Sequence, residues 1–319
     1  MTKANIYSIN VDESIEKLKS SSISGRNKEL ILSFVDECFI EGIGDHRIIK
    51  YVSVLKCIAQ SMNKDFDKID IPALKRYVIT LERSDKSEWT KHDYKIAICK
   101  FYRWLYSENN PVLISWIKTS VKIKDLKLPE DMLTEHEVLL LINNASNRRD
   151  RAIIAMLWDL GARIGEILTL RVKDLTFDDI GLIIHLTGKT GPRRVRACWS
   201  VKYIEEWLVD HPENHNPLVP LFFKFNYKRK QLDFLKYYAF RNTLSKITAK
   251  SGINKRIHPH IFRHSRCTFM ANHLTEAQMN NYFGWSRSST MSSVYIHLSG
   301  RDVDAAILRA NGMTIDIRG

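Results

Sequence analysis

The stretch "HPHIFRHSRCTFM" (residues 258–270) gathers His258, His260, His264, Arg263 and Arg266, with apolar residues threaded between them. Imidazole can move a proton near neutral pH, and guanidinium offers a planar fork of donors for an oxyanion. Pro259 suits the first turn of a helix, where its missing N–H costs nothing. At about 100° per residue, Ile261, Phe262, Ser265 and Phe269 fall on one side, and His260, Arg263, His264 and Cys267 on the other. Three chemistries fit. One is a solvated basic face, the favourite for the stretch alone, because most charge clusters are of that kind. Another is a zinc site from His260, His264 and Cys267, which have helical metal-ligand spacing. Arg263 weighs against it, as a fixed cation among the ligands of another. The third is a site that holds an anion and transfers a proton.

Other residues could join such a site, although each has a plainer reading. Arg163 follows "LGA" and begins a helix whose buried stripe is Ile164, Ile167 and Leu168. Glu166 lies three residues on, at the spacing of a surface ion pair. In "GLIIHLTGKTGPRRVRACWS" β-branched runs flank "GKTGP", which predicts a hairpin with Lys189 at its tip. An ammonium there is either an ordinary turn lysine or a group carried into a groove. Trp285, after Gly284, and Tyr295, with Met291 and Leu298 at helical spacing, read equally well as packing.

The totals bound the frame that must position these groups. A chain of 319 residues is long for one core and suggests two domains. With 44% hydrophobic and 27% charged residues it is expected to fold as a soluble protein. The net charge of +13 favours a polyanionic partner, nucleic acid or an anionic membrane surface. No long apolar run supplies a membrane anchor, and "MTKANIYSINVDES" is polar rather than signal-like. Cys38, Cys57, Cys99, Cys198 and Cys267 are scattered and odd in number. They read as reduced thiols of a cytoplasmic protein, with neither disulfides nor a cysteine zinc site.

Residues 1–25 form a polar, Ser-rich segment. Over residues 26–112, "KELILSFVDECFIEG", "RIIKYVSVLKCIAQSM", "IPALKRYVITLER" and "TKHDYKIAICKFYRWLYS" predict a small helical domain, the last helix capped by its threonine, Thr90. Residues 113–133 read as a basic linker. Residues 134–312 form a second domain, and 313–319 a tail. In the second domain "TEHEVLLLINNA" has an imperfect capping signal at Thr134. "RDRAIIAMLWDLG" ends at Gly161, and "ARIGEILTLRVKDL" reads as one helix. After the hairpin, helices return in "VKYIEEWLVD", "LKYYAFRNTLSKITAKSG", the basic stretch, "EAQMNNYFGW" and "STMSSVYIHL".

Taken in order, "ARIGE", "GK" in a hairpin, "HxxRH", "GW" and a late tyrosine resemble the tyrosine recombinase (phage integrase) family, over roughly residues 134–298. The helical region resembles its core-binding domain more weakly, and the tail "YIHLSGRDVDAAILRANG" is most similar to archaeal members. The resemblance implies a mainly α fold of two domains. These are an N-terminal helical core-binding (SAM-like) domain and a C-terminal mixed α/β catalytic domain with a small antiparallel sheet. It implies that Arg163 and Arg263 clamp the scissile phosphate, Lys189 protonates the departing 5′ oxygen, and His260 assists proton transfer. Trp285 would donate an indole hydrogen bond or buttress the site, and Tyr295 would be the nucleophile. Glu166 and His264 would support these groups from behind.

The implied activity is site-specific recombination of double-stranded DNA through a covalent 3′-phosphotyrosine and a Holliday junction, without ATP. The implied assembly is a homotetramer on two sites, monomeric or dimeric when free. No acidic cluster suggests an essential metal, and no cofactor is expected. Lys118, Lys122, Lys124, Lys127, Arg193, Arg194, Arg196, Lys228, Arg229 and Lys230 would contact backbone phosphates. The amphipathic segment with Val303, Ile307 and Leu308 would dock on a neighbouring subunit or on its own domain. One rival remains open, a type IB topoisomerase-like enzyme that relaxes DNA; a DNA-binding module without catalysis is disfavoured, because pure binding does not require Tyr, Lys and His beside two arginines.

Overall fold

The computed structural model describes residues 6–7, 10–120, 132–188, 190–286, 289, 291–298 and 311–312. The chain divides into two compact units, Ser8–Leu126 and Met1–Tyr7 with Lys127–Gly319.

The Ser8–Leu126 unit is helical among its described residues. It contains α1 (Val11–Lys19), α2 (Gly25–Ile40), α3 (Asp45–Met62), α4 (Ile71–Glu82) and α5 (Glu88–Tyr106), with a 3-10 turn at Phe66–Lys68. Asn10, Ser24, Asp70 and Ser87 cap α1, α2, α4 and α5 by accepting from backbone N–H groups that a helix start leaves unpaired. The cap of α5 is therefore Ser87 and not Thr90, which itself donates its N–H to Ser87. Helix α1 lies within residues 1–25, the segment read above as polar and Ser-rich. Phe34, Phe66, Phe101 and Tyr102 fill the centre, their rings meeting mostly edge-on or tilted. Buried Asn27 donates to the Lys64 carbonyl and accepts from the Phe66 N–H, so the turn before α4 is pinned to α2. Leu113 and Ile114 are buried in this same core. The apolar run "VLISWI" thus extends the core past residue 112, where the linker was expected to begin.

The other unit is built around α7 (Arg148–Leu160), which is buried continuously from Ala152 to Leu160. A helix apolar on all sides must be covered on all sides. Around α7 lie α6 (Glu135–Asn143), α8 (Ile164–Leu168), a sheet of β1 (Leu175–Asp178), β2 (Gly181–Gly188) and β3 (Gly191–Ala197), and α9 (Val201–Asp210). A ribbon of β4 (Phe223–Asn226) and β5 (Gln231–Phe234) follows, then α10 (Tyr237–Ser251), α11 (Pro259–Met270), α12 (Glu276–Phe283) and α13 (Met291–Leu298). Both sheets are antiparallel, and the β2–β3 register ends at Gly188 opposite Gly191.

Three expectations change here. The "ARIGEILTLRVKDL" segment is one short helix, then a 3-10 turn at Val172–Asp174 that leads into β1. Thr169 donates back to the Gly165 carbonyl, and the Leu170 carbonyl then accepts from Leu221 N–H, so the backbone leaves the helix for the neighbouring segment. The capping box at Thr134 is complete, with Glu137 as its second half. On α11 Phe269, placed on the packed side of the wheel, is 51% exposed and rests against His273, whereas Cys267 is fully buried.

One carboxylate joins α7 to the end of the sheet. Asp159, 2% exposed, accepts from Cys198 N–H, Ser200 N–H and the Ser200 hydroxyl at 2.9–3.0 Å. Asp159→Ala leaves these donors unpaired and is expected to lower folding stability by about 3 kcal/mol. Urea denaturation measures it, and a loss below about 1 kcal/mol would contradict this role.

Candidate active site

Helix α12 ends at Gly284, whose φ of 62° is left-handed and open to glycine at little cost. The last carbonyls of a helix lack internal partners and carry the negative end of its dipole. Here they receive three arginines in succession. Arg193 Nε donates to Tyr282 O at 2.9 Å, and Arg263 Nη2 donates to Phe283 O at 2.7 Å. Both terminal nitrogens of Arg163 donate to Gly284 O at 3.4 Å, which also accepts from the Thr190 hydroxyl at 3.0 Å. A Cβ at Gly284 would come within 2.7 Å of Arg193 Nη1, a second reason for glycine.

Glu166 holds the opposite side of this cluster. Its carboxylate accepts a bidentate pair from Arg193 at 2.7 and 2.8 Å, Arg163 N–H at 2.8 Å and Arg163 Nη1 at 3.2 Å. The side chains of Glu166 and Arg193 are 4% and 7% exposed. Burial by itself raises the Glu166 pKa. The hydrogen bonds and charge of Arg193, then the backbone and charge of Arg163, outweigh burial and hold it below the ordinary value. Gly188 is a close approach, since a Cβ there would lie 2.3 Å from Glu166 Oε1. The expectation that Arg193 contacts DNA phosphates is corrected: its donors are spent on Glu166 and Tyr282 in the interior. The i, i+3 partner Arg163 was visible in the sequence, whereas Arg193 is 27 residues from Glu166 and only the hairpin brings it back.

Arg263 is 6% exposed, donates Nη1 to Gly161 O at 2.9 Å, and lies 5.4 Å from the ring centroids of both Phe283 and Trp285. Arg163 keeps a third of its side chain open to solvent. His260 is exposed on one side, yet desolvation by its neighbours and then the charges of Arg263 and Arg163 push its pKa below the ordinary value. A lowered value favours the neutral imidazole at neutral pH.

Tyr295 is 3% exposed and lies in a small core with Cys267, Ala271, Met279 and Phe283. Its ring stacks on Trp285 at 5.5 Å and 6°, and its hydroxyl shares a 2.6 Å hydrogen bond with His264 Nδ1. Burial raises its pKa well above the ordinary tyrosine value, and Cys267 adds to the rise. The histidine that Tyr295 touches is thus His264, expected only as support, and not His260. Cys267 is fully buried and its thiol is pushed up to about 12 by burial. Among the described residues no three His, Cys, Asp or Glu side chains converge as a metal site.

Lys189 lies outside the described residues, as do Lys122, Lys124 and Lys127. Lys118, Arg194, Lys228, Arg229 and Lys230 are exposed. Arg196 makes a bidentate pair with Asp178 at 2.7 Å.

The model of the phage integrase family matches residues 131–301, more than half of the chain. The chain belongs to this family, that of the tyrosine recombinases. It is 24% identical over 295 residues to tyrosine recombinase XerA of Saccharolobus solfataricus, covering 88% of this chain and 92% of that protein. It is 27% identical over 288 residues to a tyrosine recombinase of Pseudothermotoga lettingae, covering 84% and 93%. Among solved structures, a lambda integrase dimer bound to a COC′ core site superposes with TM-score 0.66 at 14% identity, covering 91% of this chain and 80% of that one. The XerH site-specific recombinase on palindromic difH, a post-cleavage complex, superposes with TM-score 0.63 at 18% identity, covering 97% and 100%. These superpositions bear out the mainly helical two-part fold with its small antiparallel sheet.

Removing Arg193 takes the bidentate pair from the buried Glu166 carboxylate and leaves it only Arg163, through its N–H at 2.8 Å and Nη1 at 3.2 Å. Arg193→Ala is expected to cost about 3 kcal/mol of stability. A carboxylate with a lowered folded pKa stabilises above its unfolded value of 4.5 and loses that contribution as pH falls through the folded value. The stability gap between the native chain and Arg193→Ala should therefore narrow below pH 4.5 in denaturation curves. A gap that stays constant or widens on acidification would contradict the pairing.

Proposed function

We propose that this tyrosine recombinase cuts and rejoins double-stranded DNA at specific sites, with Tyr295 as nucleophile. The observation that carries the reading is that Arg163 and Arg263 are anchored on adjacent carbonyls, Gly284 O and Phe283 O, in the loop that also places Trp285 against Tyr295. Two guanidinium groups fixed before the substrate arrives can stabilise the charge that grows on a phosphate's non-bridging oxygens.

In the proposed step the Tyr295 oxygen attacks phosphorus and the bond to the 5′ oxygen breaks. The products are a 3′-phosphotyrosine and a 5′ hydroxyl. Neutral His260 accepts the phenolic proton and Lys189 donates one to the leaving oxygen. The ester conserves the energy of the broken linkage, so a second 5′ hydroxyl can reverse the step without ATP. Glu166 and Arg193 hold Arg163 in place, and Trp285 buttresses Arg263 and Tyr295. In its present pose Tyr295 is buried against His264, so α13 must release it before attack. Lys118, Lys122, Lys124, Lys127, Arg194, Arg196, Lys228, Arg229 and Lys230 supply contacts to the DNA backbone, with steep salt dependence.

Exchange between two sites calls for four subunits and a Holliday junction. A lambda integrase tetramer bound to a Holliday junction has this fold, with TM-score 0.66 at 14% identity, which supports the assembly by likeness of fold. No helix among the described residues is long and apolar enough to cross a membrane. With free thiols at all five cysteines, the cytoplasm is the proposed compartment.

Tyr295→Phe should bind a duplex site as the native chain does yet form no covalent adduct on a nicked suicide substrate. Reciprocal products from two sites identify recombination, whereas relaxation of a supercoiled plasmid without exchange would favour the topoisomerase-like reading. The lowered pKa of His260 makes a second expectation. The cleavage rate should hold across neutral pH and fall only below the ordinary histidine value of 6.5. A fall that begins above 6.5 would contradict the assignment of His260 as acceptor.

A further inference from the structure

The start of the chain belongs to the unit that carries Arg163, although a helical unit of more than a hundred residues intervenes in the sequence. Ile6 is 1% exposed within the large core of that unit, and its carbonyl accepts from Tyr237 N–H at 3.0 Å. The Tyr7 ring packs on Tyr237 with centroids 5.3 Å apart. On its other side Tyr7 meets α8, the short helix that follows Arg163 and carries Glu166. A Cβ built at Gly165 would stand 2.7 Å from the Tyr7 hydroxyl, 3.6 Å from its ring carbon Cζ and 3.8 Å from Ile6 Cδ1. Gly165 is therefore the bare spot on α8 against which Ile6 and Tyr7 lie. Burial raises the Tyr7 pKa, and the charges of Tyr237 and then Glu166 add to it, as expected for a phenol near the Glu166 carboxylate.

Helix α8 needs such support. It has five residues, shorter than a helix that is stable without tertiary packing. Its two functional side chains, Arg163 and Glu166, are the least tolerant of displacement, because orientation of a phosphate clamp by even 1 Å affects rate steeply. Its inner face packs Ile164, Ile167 and Leu168 into the core. Gly165 contributes no side chain, and the three heavy atoms nearest a Cβ built on it all belong to Ile6 and Tyr7.

We propose that Ile6 and Tyr7 form a strap that clamps α8 and positions Arg163 and Glu166 for strand cleavage. Tyr7 touches neither the phosphate nor the nucleophile; it is a positioning residue. This inference rests on the reading of Arg163 as a phosphate clamp.

The test uses the full-length protein on a nicked suicide duplex, with equilibrium binding and single-turnover cleavage measured separately. Tyr7→Ala should bind the duplex with unchanged affinity but cleave about tenfold or more slowly. Gly165→Ala should also slow cleavage, because its new Cβ collides with the Tyr7 hydroxyl. Tyr7→Phe keeps the ring that packs on Tyr237 and should cleave well above the rate of Tyr7→Ala. It also removes the one atom that collides, leaving ordinary contact at 3.6 Å. The double variant Gly165→Ala/Tyr7→Phe should therefore recover most of the rate lost by Gly165→Ala alone, a coupling between neighbours that independent sites do not show.

Tyr7→Ala cleaving at the native rate, or Gly165→Ala equally slow in both backgrounds, would overturn the strap while leaving the site intact. If Tyr7→Ala loses binding and cleavage together, residues 6–7 are structural only and the positioning role is likewise overturned. If the native chain forms no adduct at all, the reading of the site fails first, and the strap with it.

Discussion

Three consecutive carbonyls at the end of α12 are the fixed point of the site. A helix C-terminus concentrates unpaired acceptors, and Gly284 turns the chain so that Tyr282 O, Phe283 O and Gly284 O face inward. Three guanidinium groups from three distant parts of the sequence converge there, each with a further acceptor: Glu166 for Arg193 and Arg163, Gly161 O for Arg263. Like charges brought this close repel, and the buried Glu166 carboxylate offsets part of that repulsion. The hairpin, α8, α11 and α12 are thereby locked to one another before any substrate arrives, which is the preorganisation that electrostatic stabilisation of a phosphate requires.

The same loop sets the state of Tyr295. Gly284 leads directly to Trp285, whose indole carries the stacked tyrosine ring on one side and approaches the Arg263 guanidinium at 5.4 Å. The hydroxyl rests on His264, one residue from Arg263 along α11, and burial disfavours the phenolate. The proposed nucleophile is thus held in its neutral form, beside but outside the proposed phosphate clamp, and in the proposed mechanism α13 must move before it attacks. The proposed cleavage step therefore couples chemistry to a change in packing.

Much of this was legible in the sequence, and the limits have physical causes. Helical periodicity located nearly every helix, because each has a face that must be buried. The hairpin was legible from "GKTGP", whose glycines bracket the two-residue connection. The candidate site residues stood out only as an ordered set, since an arginine near a glutamate or a tyrosine among apolar residues has a plainer explanation by itself. What stayed hidden depends on contacts between parts of the chain far apart in sequence. A helical wheel places Arg263 and Cys267 on an open side, but α11 is covered on both sides and the structure buries them. Arg193 looked like one more cation in "RRVR", because nothing local distinguishes the residue that faces Glu166 from Arg194, which faces solvent. Ile6 and Tyr7 lay in a segment read as a polar start, and only the return of the chain reveals their core.

The proposed cleavage chemistry turns on Tyr295 as nucleophile, so the identity of the residue that bonds to DNA is the sharpest check. The native chain would be trapped on a nicked duplex, digested with trypsin, and the DNA-linked peptide sequenced by mass spectrometry. The predicted result is a single nucleotide-bearing peptide, residues 288–301, "SSTMSSVYIHLSGR", modified at Tyr295. Modification at any other residue, or covalent DNA on Tyr282, would contradict the proposed chemistry.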